Sequence, residues 1–394
     1  MFERIAAGCR YLAFTLLGVI ALVLVLNAGA YAFLRYLKYF QARSAELPIV
    51  ATYGERLKAG YPGWDSADLN DLLYETWARP FVYQSITQFT EAPIDGRFVT
   101  VDEAGFRHIK DQAPWPPEKE ALSVFVFGRS TAFGYGVRGE ETIASFLQER
   151  LRGATERKVA VYNFGRGFYY SSQELLLFLR LLQRGAVPDV AVFIDGFNDI
   201  HAAAAQDLPM TPTLLQSQSR ALGDIAWTFW QATPLAKAME RLQGFTQRAG
   251  RAEKSAGAPL PDGDTGPEMT GPWDVVLTRY QRNRVMIEAL AAGFEVTPLF
   301  VLQPVPGYRY DSDKNPFYQG EQQDKDLYAK GIAAFDEAAL AGKLGDRFIS
   351  CADVQEGRDE LLYVDNIHYA APLADLVAAC IIKRGDVGAW ESRK

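Results

Sequence analysis

Histidine and cysteine are scarce in this chain, with three of each among 394 residues. No Cys-x-x-Cys pair and no Cys/His cluster has the spacing of a structural zinc site, which argues against a fold built on a metal. A Lys/Arg-rich run is also missing. The 41 basic residues are spread among 48 acidic ones, for a net charge of −7. A protein that tracks a phosphate backbone gathers the opposite sign on one face. No Gly-Lys-Ser/Thr phosphate loop occurs. Gly134-Tyr135-Gly136-Val137-Arg138-Gly139 fits G-x-G-x-x-G in letters only. Its glycines begin seven residues after Phe127 and not at the strand end, and the next strand closes on Asn163 where a dinucleotide site needs an acid. Glu140 and Glu141, at the start of the following helix, would repel a pyrophosphate. Nucleotide binding therefore drops out.

Apolar residues are plentiful at 48%, and aromatic ones at 13% suit either a packed core or a sugar-binding surface. Tyr11–Leu34 reads YLAFTLLGVIALVLVLNAGAYAFL without a charge. As a helix it is long enough for a hydrocarbon core of about 30 Å. Tyr31, Tyr36 and Tyr39 flank it as interface residues do. Arg4 and Arg10 on one side nearly balance Arg35, Lys38 and Arg43 on the other, so orientation stays open. Ala28-Gly29-Ala30 resembles a cleavage site, but apolar residues continue past it, which favours a retained anchor over a cleaved signal peptide. Ala7-Gly8-Cys9 is not a lipidation site, because the apolar run follows the cysteine.

Three regions follow from the patterning. Residues 1–40 are the tail and transmembrane anchor. Residues 41–120 are irregular, rich in Pro, Gly and aromatics, and read as an accessory segment ending near Gly105-Phe106-Arg107, with short strands in FVYQSITQFTEAP and GRFVTV. From 121 to 394 apolar strands (Val124–Phe127, Val159–Asn163, Val190–Ile194, Val296–Leu302, Arg347–Ser350) alternate with helical segments (Glu141–Leu151, Ser172–Leu182, Trp273–Ala292, Pro372–Ile382). Strands that are apolar throughout predict a parallel sheet covered on both faces. A long insertion occupies about 200–272. Within it Ile225–Trp230 is apolar and Gly250–Gly271 is rich in Gly, Pro and charge, which suits a lid, a partner surface or a membrane-facing patch. Cys351 and Cys380 are either a disulfide or two buried thiols.

Four strand-end stretches carry chemistry. Ser130 follows an apolar strand, in VFVFGRSTAFG. Alone it reads as a helix cap, although a serine there can also present its oxygen at the ligand-binding edge of a sheet. In YVDNIHY, Asp365 precedes His368 by three residues. That spacing lets a carboxylate hold one ring nitrogen while the other takes a serine proton. Asn198, in VFIDGFND, is either a turn residue or a side-chain donor to an oxyanion. Gly165 and Gly167, in VYNFGRGFYYSSQE, serve a tight turn or a close backbone approach.

In this order, FGRSTAFG, NFGRGFYYSSQE, GFND and DNIH resemble the four blocks of the SGNH (GDSL-like) hydrolases, over about Leu122 to Ile382. The resemblance implies a flavodoxin-like three-layer α/β/α sandwich with a parallel sheet, here preceded by the N-terminal transmembrane helix. It implies Ser130 as nucleophile, His368 as general base and then acid, and Asp365 as its orienting partner. The oxyanion hole would use the Ser130 N–H, a backbone N–H at Gly167 or Phe168, and the Asn198 amide. No metal and no organic cofactor is called for. Two positions depart from the family pattern. Arg129 stands where Asp or Gly is usual, and would contact an anionic substrate group, pair with a local carboxylate or mark a weakened site. Phe168 stands where the second block has its glycine, with Gly167 one step earlier. The expected activity is hydrolysis of an O-acyl ester on an envelope polysaccharide or lipid by a membrane-anchored, extracytoplasmic domain, periplasmic if bacterial. Two rivals use the same residues or none: an O-acyltransferase served by a membrane acyl-transfer partner, or a silent binding or assembly protein. No nucleic-acid partner is expected.

Overall fold

The structure, a computed structural model, describes residues 2–44, 47–204, 272–318 and 322–391. Ile225–Trp230 and Gly250–Gly271 lie outside the described residues, as does most of the insertion in which they fall.

Phe2–Ser44 forms one continuous helix. Its segment Ala6–Phe33 is long and apolar enough to cross a membrane. The two polar side chains in that run do not leave donors stranded. Thr15 Oγ1 and Asn27 Nδ2 each donate to the carbonyl four residues back, at 2.9 Å.

The remaining described residues are built on a five-stranded sheet. With strands numbered in chain order, these are β5 (Leu122–Gly128), β6 (Val159–Asn163), β7 (Val190–Asp195), β8 (Thr297–Leu302) and β9 (Phe348–Ser350). They lie in the order β6-β5-β7-β8-β9, every pairing parallel. Counting these five alone, the order is 2-1-3-4-5, the flavodoxin-like arrangement, with its topological switch beside β5. The composition of β5 explains why both its faces are buried. Val124 and Val126 join the core formed with Ile143, Leu147, Val377 and Ile381 of two helices, Ile143–Arg152 and Ala371–Arg384. Phe125 and Phe127 point the other way. Phe127 pairs in register with Phe193, and Phe193 with Phe300. Their rings stack across three strands at 4.8 and 5.5 Å. This ladder lies on the face covered in part by Phe178 of helix Ser171–Gln183.

Residues 47–120 pack directly on this frame. Leu57, Leu72 and Val99 share a buried cluster with Phe133, Tyr135 and Val364. The segment supplies helix Ser66–Trp77, the antiparallel pair β1 (Phe81–Gln84) and β2 (Gln88–Glu91), and the short pair β3 (Ile94–Asp95) and β4 (Thr100–Val101). Arg107 bridges Val101 to Asn163, so this segment also covers the β6 edge of the sheet. The strand and helix positions expected from sequence hold to within about two residues. Helices Ser66–Trp77 and Gln322–Leu340 were not expected. The first carries a legible start signal in Asp65, whose Oδ1 accepts the N–H groups of Ala67 and Asp68 at 2.8 Å. Cys351 and Cys380 form a disulfide that ties the end of β9 to helix Ala371–Arg384.

Candidate active site

Three strands, with the loop between β9 and helix Ala371–Arg384 that carries Asp365 and His368, bring the candidate residues together at one edge of the sheet. Beyond β5 the chain turns at Gly128 (φ +149°), where a Cβ would meet Ala132 Cβ at 2.6 Å. Only glycine allows so tight a turn, and the one-turn helix Ser130–Phe133 follows at once. Arg107 fixes that turn. Its Nη1 donates to the Phe133 and Gly134 carbonyls and its Nη2 to that of Val137, at 2.9, 2.6 and 2.6 Å. Burial pulls the Arg107 guanidinium down to about 9. Asn163, at the end of β6, donates to the Ala132 carbonyl at 2.8 Å and accepts from the Gly165 N–H at 3.0 Å. The serine turn and the glycine loop are thus locked together.

Ser130 is half-buried, and its Oγ lies 2.8 Å from His368 Nε2. His368, only 9% exposed, holds Asp365 Oδ2 at 2.6 Å through Nδ1. The other carboxylate oxygen accepts the N–H groups of Ile367 and His368 at 2.8 and 2.6 Å. Burial pushes the Asp365 carboxyl up. The charge of His368, with these hydrogen bonds, outweighs that and holds it below the ordinary carboxylate range. The Tyr135 ring stacks on the imidazole at 5.4 Å, and Trp77 meets it edge-on at 5.5 Å. Sequence reading gave no role to Trp77, Tyr135 or Arg107.

On the opposite side, Asn198 Nδ2 donates one hydrogen to the Tyr169 carbonyl at 2.6 Å, leaving a second. The Ser130 N–H has no hydrogen-bond partner among the described residues. The two backbone candidates after β6 now separate. The Gly167 N–H is already donated to Glu91 Oε1 at 2.9 Å, so it is not free for an oxyanion. Phe168 takes the left-handed conformation (φ +66°) that favours glycine, and its N–H has no partner among the described residues. A large residue held there costs on the order of 1 kcal/mol or more, and its ring is 42% exposed beside Phe81.

Arg129 turns inward from the turn that carries Ser130. It is 2% exposed, with its guanidinium 4.2 Å over the Phe197 ring. Burial draws it down to about 10, against the pull of Tyr369, Asp199 and Glu174. Among the described residues it makes no ion pair with a carboxylate, and its Nε and Nη1 are buried without a hydrogen-bond partner, so the acids near it balance its charge at a distance. The carboxylates behind it are Glu174, Asp195 and Asp199, all buried. Burial and mutual repulsion push Glu174 and Asp195 well above the ordinary carboxylate range, and burial raises Asp199. Among the described residues no group of His, Cys, Asp and Glu has a metal-binding arrangement.

No family model matches the chain, and no curated protein sequence does. Among solved structures it is similar to a lipase from a goat rumen metagenome, at 12% identity over 67% of this chain and 98% of that one, with a TM-score of 0.39. A member of the lipolytic protein G-D-S-L family from Veillonella parvula matches at 13% identity, over 67% and 97% of the two chains, with a TM-score of 0.36. An acetyl xylan esterase from Geobacillus stearothermophilus matches at 11% identity, over 67% and 94%, with a TM-score of 0.35.

Proposed function

We propose that the chain is a membrane-tethered serine esterase. The observation that carries this reading is the unbroken line from Ser130 Oγ to His368 Nε2 at 2.8 Å and from His368 Nδ1 to Asp365 at 2.6 Å. Ser130 Oγ attacks the ester carbonyl while its proton passes to Nε2. The carbonyl oxygen becomes an oxyanion, met by the Ser130 N–H, the Phe168 N–H and the free hydrogen of Asn198 Nδ2. Collapse expels the alcohol, which takes the proton from His368. Water then enters by the same route and releases the acid. Asp365, kept ionised by its three hydrogen bonds, fixes the imidazole tautomer and stabilises its charged form. Oxyanion donors of this kind contribute about 3 kcal/mol each.

The substrate class is an acyl ester on a carbohydrate or lipid near the membrane. Trp77, Phe81 and Phe168 offer aromatic faces around the site that suit a sugar ring or an acyl chain. The apolar helix Ala6–Phe33 would keep the domain at the membrane. The Cys351–Cys380 disulfide favours an oxidising compartment, and so an extracytoplasmic domain. The test is fluorophosphonate labelling of the full-length protein in detergent, located by peptide mass spectrometry. Labelling at Ser130 that is lost in Ser130→Ala and His368→Ala is expected. Folded protein that stays unlabelled would overturn the reading.

A further inference from the structure

Glu91 closes β2, far from the four sequence blocks, and is 1% exposed. A buried carboxylate needs a reason, since leaving water costs several kcal/mol unless the charge is paired. Part of the reason is Arg79, whose Nη2 donates to Glu91 Oε2 at 2.7 Å. The other oxygen is spent differently. Oε1 accepts the Gly167 N–H at 2.9 Å and the Tyr135 hydroxyl at 3.1 Å. Gly167 immediately precedes Phe168, the proposed oxyanion donor. Tyr135 is the ring stacked on His368. A single carboxylate oxygen therefore grips the oxyanion loop and the support of the general base together.

The same contact explains the shifted glycine. A Cβ on residue 167 would stand 2.4 Å from Tyr135 Oη and 3.1 Å from Glu91 Oε1. No side chain fits between them, so position 167 must be glycine. Phe168 is then left to take the left-handed turn. It is held there by the Glu91 bond on one side and, on the other, by Asn198 against the Tyr169 carbonyl and the Tyr169 hydroxyl against that of Phe89. Arg79 matters for a second reason. An unpaired carboxylate this near the loop would oppose a developing negative charge, and the guanidinium cancels it. That guanidinium also lies 4.8 Å over the ring of Phe133, on the helix that carries Ser130.

We propose that Glu91, neutralised by Arg79, is a positioning residue of the active site: it aims the Phe168 N–H at the oxyanion and seats Tyr135 behind His368. The proposal rests on the esterase reading above. Its test compares two double variants of the full-length protein, Glu91→Gln/Arg79→Met and Glu91→Leu/Arg79→Met. Both lose the ion pair, and only the first keeps an oxygen that can accept from Gly167 and Tyr135. Fluorophosphonate labelling rate, kcat and KM for p-nitrophenyl acetate, and Tm are measured. The glutamine pair is expected within about threefold of wild type. The leucine pair should lose about 100-fold in kcat and labelling rate at unchanged KM, the size of effect a misplaced group produces. Equal activity in the two pairs overturns the proposal. If the leucine pair does not fold, Tyr135→Phe takes its place. A severalfold fall in kcat with a displaced acidic limb of the kcat/KM profile is then expected, and an unchanged rate and limb overturns the proposal. Wild-type protein unlabelled at Ser130 is a different result: it overturns the esterase reading itself, and the positioning role falls with it.

Discussion

The two sides of the site are built in opposite ways. On the histidine side, Asp365 reaches His368 within three residues, and its second oxygen is satisfied by backbone N–H groups of the same turn. On the oxyanion side the contacts that hold the donors are long-range. Gly167 is held by Glu91 76 positions away, and Asn198 by Tyr169 across 29. A local device survives changes elsewhere and falls only to changes in itself. A long-range device is exposed to every element that packs around it. The contrast predicts large, isolated effects on one side and smaller, distributed ones on the other.

The largest effect is expected at Asp365. Asp365→Asn keeps an oxygen for the backbone N–H groups of Ile367 and His368, so the turn should stay folded with little change in Tm. The amide cannot hold the imidazole in the productive tautomer, and kcat should fall about 10⁴-fold. A fall of less than tenfold would mean that His368 is oriented by something other than this carboxylate. Asn198→Ala comes next. Losing one oxyanion donor should cost about 100- to 1,000-fold in kcat at nearly constant KM. Because Asn198 also pins the Tyr169 carbonyl, its loss should slacken Phe168, and combining it with the Glu91→Leu/Arg79→Met pair should cost less than the product of the two separate losses. Full multiplicativity would show that the two act independently, and would break the picture of one connected loop.

That division also decides what could be read from the sequence. Asp365 and His368 announce themselves by spacing, and Ser130 and Asn198 by their places at the ends of apolar strands. The sheet was legible because uninterrupted runs such as Val190–Ile194 leave few other structures. Glu91 and Arg79 carry no such signal. In an irregular segment, a lone Glu and a lone Arg look like surface charges, and only the packing of residues 47–120 against the sheet buries them together. Arg129 shows the converse. Its place beside Ser130 suggested a substrate contact, yet the strand end turns its side chain inward towards Glu174, Asp195 and Asp199. Which side of a tight turn a residue faces depends on φ at Gly128, and the letters do not fix that angle.

The two sides should also respond to pH in opposite directions, with the smallest effect of the set. Asp365 is held below its ordinary value, so it contributes stability above an unfolded value of about 4, lost as pH falls through its folded value. Glu174 and Asp195, near Arg129, are raised. Their contribution is fully present below the unfolded value and is lost as pH rises through the folded ones. As pH rises the folded protein must either keep these acids protonated or ionise them out of water around one Arg129, and either costs stability relative to the unfolded chain. Glu174→Gln removes one of them while keeping a donor for Asp195. Its Tm should gain on wild type more at pH 9 than at pH 5, by an amount on the order of 1 kcal/mol or about 2–3 °C. The acidic decline set by Asp365 should be unaffected. The same Tm offset at both pH values would mean that Glu174 titrates normally, and that Arg129 alone balances the acids near it.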